Sequence, residues 1–272
     1  MAPTDTSSLA GKTALITGGS RGIGEAIAIQ FAKKGITGVA VTYANSASAA
    51  EGVLTKLREL GVKKTVAIHA DLLDPEIGRN LIPKVLAGLE TKTLDIVVNN
   101  AAVVDFRLME PFESITLNAF SKGMQGHVFG MISIIQSALP HLPPRGGRII
   151  NISSTTSKQA NPDPMMVYGA TKAAVDSITR SLAVAYGIKT GATFNSLSVG
   201  GTATEAFNKA VGLMGPMLED MEIARFSTEK RMGLPEDVAF IVGFLASEEG
   251  RWINGQHVPA NGGNRDLIGL QG

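Results

Sequence analysis

Thr13-Ala-Leu-Ile-Thr17-Gly18-Gly19-Ser20-Arg21-Gly22-Ile23-Gly24 runs from an apolar strand pattern into a glycine loop, and a helical pattern spans Gly22–Lys34. Glycines at such a junction permit a tight turn, close backbone approach to a pyrophosphate and close helix–strand packing. The helix start adds free N–H groups and partial positive charge that suit phosphate. The spacing of Gly18, Gly22 and Gly24 is not the GxGxxG order, and glycines alone would fit an ordinary turn. The strand before and the helix after, within a unit of about 30 residues, make this a candidate dinucleotide cradle. Its candidate contacts are Gly18, Ser20, Arg21, Gly22, Ile23 and Gly24.

The same alternation continues outward. Gly38–Thr42, Thr65–His69, Leu94–Asn99, Arg148–Ser153 and Thr193–Ser198 read as further strands, mostly apolar throughout, as in a parallel sheet covered on both faces. Helical patterns fall at Ser46–Leu60, Glu76–Leu89, Ser114–Leu139, Val167–Tyr186 and Pro235–Leu245, the last opened by Pro-Glu-Asp. This βαβα order predicts a Rossmann-type doubly wound α/β sheet in one domain spanning 1–272, with a flexible tail at 1–10. Residues 201–231 begin as a loop, then carry Phe207, Met214, Met217, Met221 and Phe226. Placed after the sixth strand, they read as a lid over the carboxyl ends of the strands, where such sheets bind ligands.

At the end of the second strand, where an NAD site usually offers an acid to the ribose, the chain has Tyr43-Ala44-Asn45-Ser46. Nothing there repels a 2′-phosphate; Tyr43, Asn45 and Ser46 offer hydrogen bonds, and Arg21 is placed to pair with the phosphate unless it is a solvated surface arginine. The reading favours NADP(H). Composition narrows the rest. The net charge of +1 gives no footprint for nucleic acid or an anionic membrane, and zero cysteines exclude disulfides and thiolate chemistry. Four scattered histidines lack metal-ligand spacing, so no metal site is expected. Met1–Ala10 has no signal-peptide pattern and no apolar run reaches 18 residues, which makes the cytoplasm the default expectation.

Across nearly its whole length the chain resembles the short-chain dehydrogenase/reductase family. The family's glycine loop matches Thr17–Gly24, its adenine-holding Asp matches Asp71 in Ala70-Asp71-Leu72, and its Asn-Asn-Ala-Gly appears as Asn99-Asn100-Ala101-Ala102. Its catalytic Ser and Tyr-x-x-x-Lys match Ser154 and Tyr168-Gly-Ala-Thr-Lys172; its late signatures match Gly233-Leu234-Pro235-Glu236-Asp237 and Gly262-Gly263. Within the family the chain looks most similar to fungal hydroxynaphthalene-type reductases, notably at Tyr43–Ser46. The resemblance implies cofactor contacts at Asp71, Leu72, Asn99, Ala101, Tyr168, Lys172, Val199, Gly200, Thr202 and Thr204. It also implies a small-molecule substrate and a homo-oligomer, tetramer or dimer.

The Tyr and Lys make chemical sense without the family. Four apart on a helix, they share one face. An ammonium nearby favours phenolate and brings the tyrosine, ordinarily near ~10, toward working pH as a general acid–base. Ser154 can bond a substrate oxygen that becomes alkoxide-like as hydride arrives.

The departures leave alternatives open. His127 stands where the family has a fourth catalytic residue, an Asn, with Gly130 three residues on. It either holds a water that links Lys172 to solvent, contacts substrate, or is simply packed. Ala102 replaces a glycine, and Val199 replaces a proline, restoring an N–H donor near the carboxamide pocket. Pro162 and Pro164 stiffen the segment before Tyr168, where Met165 and Met166, with the lid, suggest a large apolar substrate unless they pack the lid or a subunit contact. The expected reaction is NADPH-dependent reduction of a bulky ketone or imine in secondary metabolism. Its rivals are non-redox chemistry, such as cyclisation or isomerisation, and a non-catalytic NADP(H) sensor.

Overall fold

The computed structural model describes residues 5–103, 111–161, 163–215 and 217–269. Of the features read from sequence, residues 1–4 of the tail, Pro162, and the side chains of Met214 and Met217 lie outside the described residues.

Strands β1 (Thr13–Ile16), β2 (Gly38–Tyr43), β3 (Lys64–His69), β4 (Ile96–Asn99), β5 (Arg148–Ile152), β6 (Thr193–Val199) and β7 (His257–Ala260) form one sheet in the order β3-β2-β1-β4-β5-β6-β7. Every pairing is parallel. The register sets Leu15 beside Ala40 and Val97, and Ile16 beside Val41 and Val98. Alternate residues therefore feed two cores. Ala14, Ile16, Val39 and Val41 join α1 (Gly22–Lys33) and α2 (Ala47–Glu59) on one face. Leu15, Ala40, Val97 and Ile149 join α3 (Ile77–Gly88) on the other. This double burial is why the strands read as continuous apolar runs. The strand order reverses between β1 and β4, which opens a crevice at their carboxyl ends.

Three expectations need correction. β7 escapes a periodicity reading because it is four residues long, carries Pro259 and begins with a polar histidine; as an edge strand bonded only to β6 it tolerates the proline. The helix expected at Ser114–Leu139 is not continuous. A 3₁₀ turn, Phe112–Ser114, precedes α4 (Leu117–Gly123), a π turn covers Met124–Phe129, and α5 (Gly130–Ala138) completes it. The helix expected to end at Tyr186 runs as α6 from Met166 to Thr190, where Gly191 at φ 62° supplies a left-handed cap. The segment after β6 holds α7 (Glu205–Met214) and α8 (Met217–Arg225), followed by α9 (Pro235–Ala246). Among the described residues no helix is long and apolar enough to cross a membrane.

Helix α3 packs against α5 through Gly78, whose N–H donates to Ser133 Oγ at 3.1 Å; a methyl group there would run into the Ser133 carbonyl. Gly78→Ala is expected to lower unfolding free energy by about 1–3 kcal/mol through overpacking. Gly52, inside α2 with open space around it, predicts the opposite sign: Gly52→Ala gains about 0.5–1 kcal/mol of helix propensity. Urea melts of the two variants beside the parent check both signs.

Candidate active site

The end of β1 is tied to the end of β4 by Asn100. Its Nδ2 donates to the carbonyls of Thr17 (2.9 Å) and Gly18 (3.1 Å), while Thr17 Oγ1 accepts from the N–H groups of Asn100 and Ala101, each at 3.0 Å. Gly18 and Gly22 adopt φ of 62° and 57°, where side chains are strained, and a Cβ on Gly24 would strike the Gly18 carbonyl. Arg21 is the N-cap of α1 and gives it no side-chain cap, so the N–H groups of the first turn face the crevice without that partner. The positive φ angles, the close approach at Gly24 and the uncapped helix start are what a dinucleotide pyrophosphate needs, so the residues present fit that group.

Around it the sequence candidates divide. Asp71 Oδ1 accepts from the Leu73 N–H at 2.9 Å, which fixes the turn after β3, and Tyr43 lies edge-on to His69 with ring centres 5.7 Å apart. Ser46 caps α2, accepting from the Ala49 N–H at 3.2 Å, and Asn45 beside it is exposed. Arg21 reaches across the crevice mouth, its Nη1 3.0 Å from Glu205 Oε2 on α7. Thr204 caps α7 by accepting from the Phe207 N–H at 3.2 Å, and its methyl comes nearest to Gly22. Val199 ends β6 beside Ala260, the Gly200 N–H donates to the Ala260 carbonyl at 3.1 Å, and Thr202 Oγ1 donates to the Gly200 carbonyl at 2.9 Å. Ala102 is exposed. The side chain of Asn99 turns inward, donating to Asn151 Oδ1 at 2.8 Å, so the neighbouring Asn100 is the one that shapes the crevice. Sequence reasoning missed Asn100. The signal was the parallel pairing of β1 and β4, which sets the residues after each strand side by side.

At the carboxyl end of β5, Ser154 opens a short 3₁₀ turn, its Oγ accepting from the Thr156 N–H at 3.2 Å. Tyr168 and Lys172 face it from the first turns of α6. Lys172 is buried; its Nζ donates to the Ile152 carbonyl at 2.8 Å and sits 5.6 Å from the centre of the Tyr168 ring. Burial pushes the lysine down to about 8, against an upward pull from Asp176. Burial also pushes the Tyr168 phenol up to about 12, although the hydrogen bond with Ser154 works the other way. In this state the tyrosine holds its proton at neutral pH. Ser154, Tyr168 and Lys172 can thus meet one oxygen with a hydroxyl, a proton and a nearby positive charge.

His127 lies inside the π turn, edge-on to Tyr168 with ring centres 5.6 Å apart. Its Nε2 accepts from the Val103 N–H at 3.0 Å, and its Nδ1 is 3.0 Å from Thr171 Oγ1. Thr171 donates its own proton to the Tyr168 carbonyl at 2.7 Å, so its lone pair faces Nδ1, which must carry the ring proton. Both nitrogens are used within the protein. Of the roles open to His127, this geometry leaves no ring nitrogen for a water or a substrate and makes the residue a brace between the segment after β4 and α6. Burial, and then the charge of Lys172, push the imidazole down to about 3. An unfolded histidine, near ~6.5, binds a proton that the folded one refuses as pH falls. Stability is therefore intact above about pH 6.5 and falls between there and pH 3, by about 2 kcal/mol at pH 5 from this residue alone. Urea melts at pH 7.5 and 5.0 should show that loss in the parent, and His127→Asn should lack it.

Residues 18–265 match a family model described as enoyl-(acyl carrier protein) reductase. The short chain dehydrogenase asqE of Emericella nidulans is 52% identical over 262 residues, covering 96% of each chain. The hydroxynaphthalene reductase arp2 of Aspergillus fumigatus is 35% identical, over 91% of this chain and 90% of that one. The crystal structure of a short chain dehydrogenase from Burkholderia cenocepacia in complex with NADP superposes with a TM-score of 0.83 at 35% identity, covering 94% of this chain and 98% of the other. With that likeness along almost the full length and the nucleotide cradle in place, the chain belongs to the short-chain dehydrogenase/reductase family and is an oxidoreductase that uses a nicotinamide cofactor.

Proposed function

We propose that the protein is a cytoplasmic NADPH-dependent reductase that reduces a carbonyl, or a related C=N group, of a bulky, mainly apolar or aromatic substrate in fungal secondary metabolism. The observation that carries the reading is the convergence of Ser154, Tyr168 and buried Lys172 at the carboxyl end of β5, beside the glycine cradle. Held by the glycine loop, a reduced nicotinamide cofactor would supply hydride for the carbonyl carbon. Ser154 holds the oxygen, which gains negative charge as the C=O bond opens, and Tyr168 gives it a proton. The Lys172 ammonium stabilises the phenolate left behind. His127 acts through Thr171, holding the turn of α6 that carries Tyr168.

The choice of NADP(H) is supported by the absence of an acid in Tyr43–Ser46 and by Arg21 at the crevice mouth. The contacts proposed for the cofactor are the glycine loop, Tyr43, Asn45, Ser46, Asp71, Leu72, the backbone at Asn99 and Ala101, Tyr168, Lys172, and the stretch from Val199 to Thr204. Residues 201–231 would cover it as a lid on this single domain, with Met221 exposed on α8 and Phe226, just after that helix, buried beside Gly200 and Gly262. A large apolar substrate is supported by that lid and by exposed Met166 beside Tyr168. A dimer or tetramer is supported by apolar side chains left exposed on α4, the π turn, α6 and the loop before β7, among them Phe120, Phe129, Val184, Ile188 and Trp252.

A panel of one- and two-ring aromatic ketones, followed by loss of NADPH absorbance, tests the reaction. Tyr168→Phe should lose about 10²–10⁴ in kcat and Ser154→Ala about 10²–10³; equal turnover in parent and Tyr168→Phe would end this reading. Calorimetry tests the cofactor. The parent should prefer NADPH to NADH, and Arg21→Ala should lose about tenfold or more in NADPH affinity with little change for NADH.

A further inference from the structure

Behind Tyr168 and Lys172, the same face of α6 carries Asp176, so that residues 168, 172 and 176 follow one another at four-residue steps. Asp176 and Lys172 are 3% and 5% exposed, and charges that dry persist only with partners. His257, the first residue of edge strand β7, places its Nδ1 3.0 Å from Asp176 Oδ2 and 3.1 Å from Ser196 Oγ on β6. The approach is one of charge and distance, since neither Asp176 oxygen makes a hydrogen bond of normal geometry among the described residues. From the end of β5 and the turn beyond it, Ser153 and Ser157 also bear on the carboxylate. Burial pushes the Asp176 carboxyl up, but His257 and the two serines outweigh it and hold the group below the usual carboxylate range.

Among the described residues, His257 is the one basic side chain within salt-bridge distance of Asp176. Lys172 is faced from its own helix by Tyr168 and Asp176 and from the π turn by His127, which is neutral. Asp176 is the group that opposes the effect of burial on the lysine. His257 Nε2, also buried, has no hydrogen-bond partner among the described residues, so the ring has no described role apart from the Asp176 and Ser196 contacts of Nδ1.

We propose that Asp176, held ionised by His257, is a positioning residue for the reaction: it supplies the buried negative charge that keeps Lys172 an ammonium beside Tyr168. The inference rests on the reading of Tyr168 and Lys172 as the proton-transfer pair, and it extends that pair to a chain of four groups reaching the edge of the sheet. Asp176 touches neither substrate nor cofactor in this scheme and acts only through the lysine.

The test is a pH titration of Lys172 in the full chain labelled with ¹³C at lysine Cε, the resonance being identified by its loss in Lys172→Arg. Asp176→Asn should lower the Lys172 midpoint by about one pH unit or more. His257→Gln should lower it by less, and Asp176→Glu should restore much of it. Oxidation of the panel's alcohols by NADP⁺ should show the matching kinetic shift, its acid limb moving to higher pH in Asp176→Asn as the phenolate loses its neighbouring charge. A merely structural role would cut activity without moving that limb. If Asp176→Asn does not fold, Asp176→Ser and His257→Gln take its place. An unchanged Lys172 midpoint in the folded variants overturns the proposal. A lowered midpoint in an enzyme whose Tyr168→Phe variant is as active as the parent would instead overturn the assigned reaction and leave the charge relationship standing.

Discussion

The parallel pairing of β1 with β4 is the constraint on which the rest of the molecule depends. The chain builds β2 and β3 outward from β1 and then returns to the opposite side of β1, so two loops leave the sheet side by side. Asn100 fills the gap between them and satisfies backbone carbonyls that would otherwise be left over where the strands part. The glycine loop is held open from below by this staple, and the first turn of α1 is aimed across it. Without the reversal there would be no crevice, and without the staple the loop would have no fixed floor.

A second theme is the placing of charge in a dry interior. The face of α6 toward the sheet carries a phenol, an ammonium and a carboxylate one turn apart, and a helix spaces them more firmly than any loop. The dryness that shifts each group also strengthens its interaction with the next. His127 takes the opposite course. It stays neutral, uses both nitrogens on the protein, and stiffens the frame without adding charge.

How much of this was legible in the sequence follows from the range of the forces involved. Strands β1, β2 and β4, buried on both faces along almost their whole length, leave apolar runs that need no partner to be recognised. β7 leaves none, since its place is fixed by hydrogen bonds to β6 and by the Asp176–His257 contact rather than by its own hydrophobicity. Tyr168 and Lys172 announce themselves because helical spacing is a local property. Asn100 in place of Asn99 as the crevice residue, the bracing by His127, and the pairing of Arg21 with Glu205 all depend on which side chain meets which across the fold. One-dimensional spacing does not encode those meetings.

The π turn at Met124–Phe129 makes the number of residues in this stretch part of the design. Its hydrogen-bonded loop holds one residue more than an α-helical turn, so α4 and α5 run one residue out of phase with each other. Deleting a single residue there would let an ordinary turn close and rotate the N-terminal half by about 100° about the helix axis. That rotation would carry His127 away from Val103 and Thr171. A one-residue change of length in an exposed connection, such as the one between α3 and β4, would be absorbed without reaching the site. Insertions and deletions, more than substitutions, are the changes this helix is least able to tolerate.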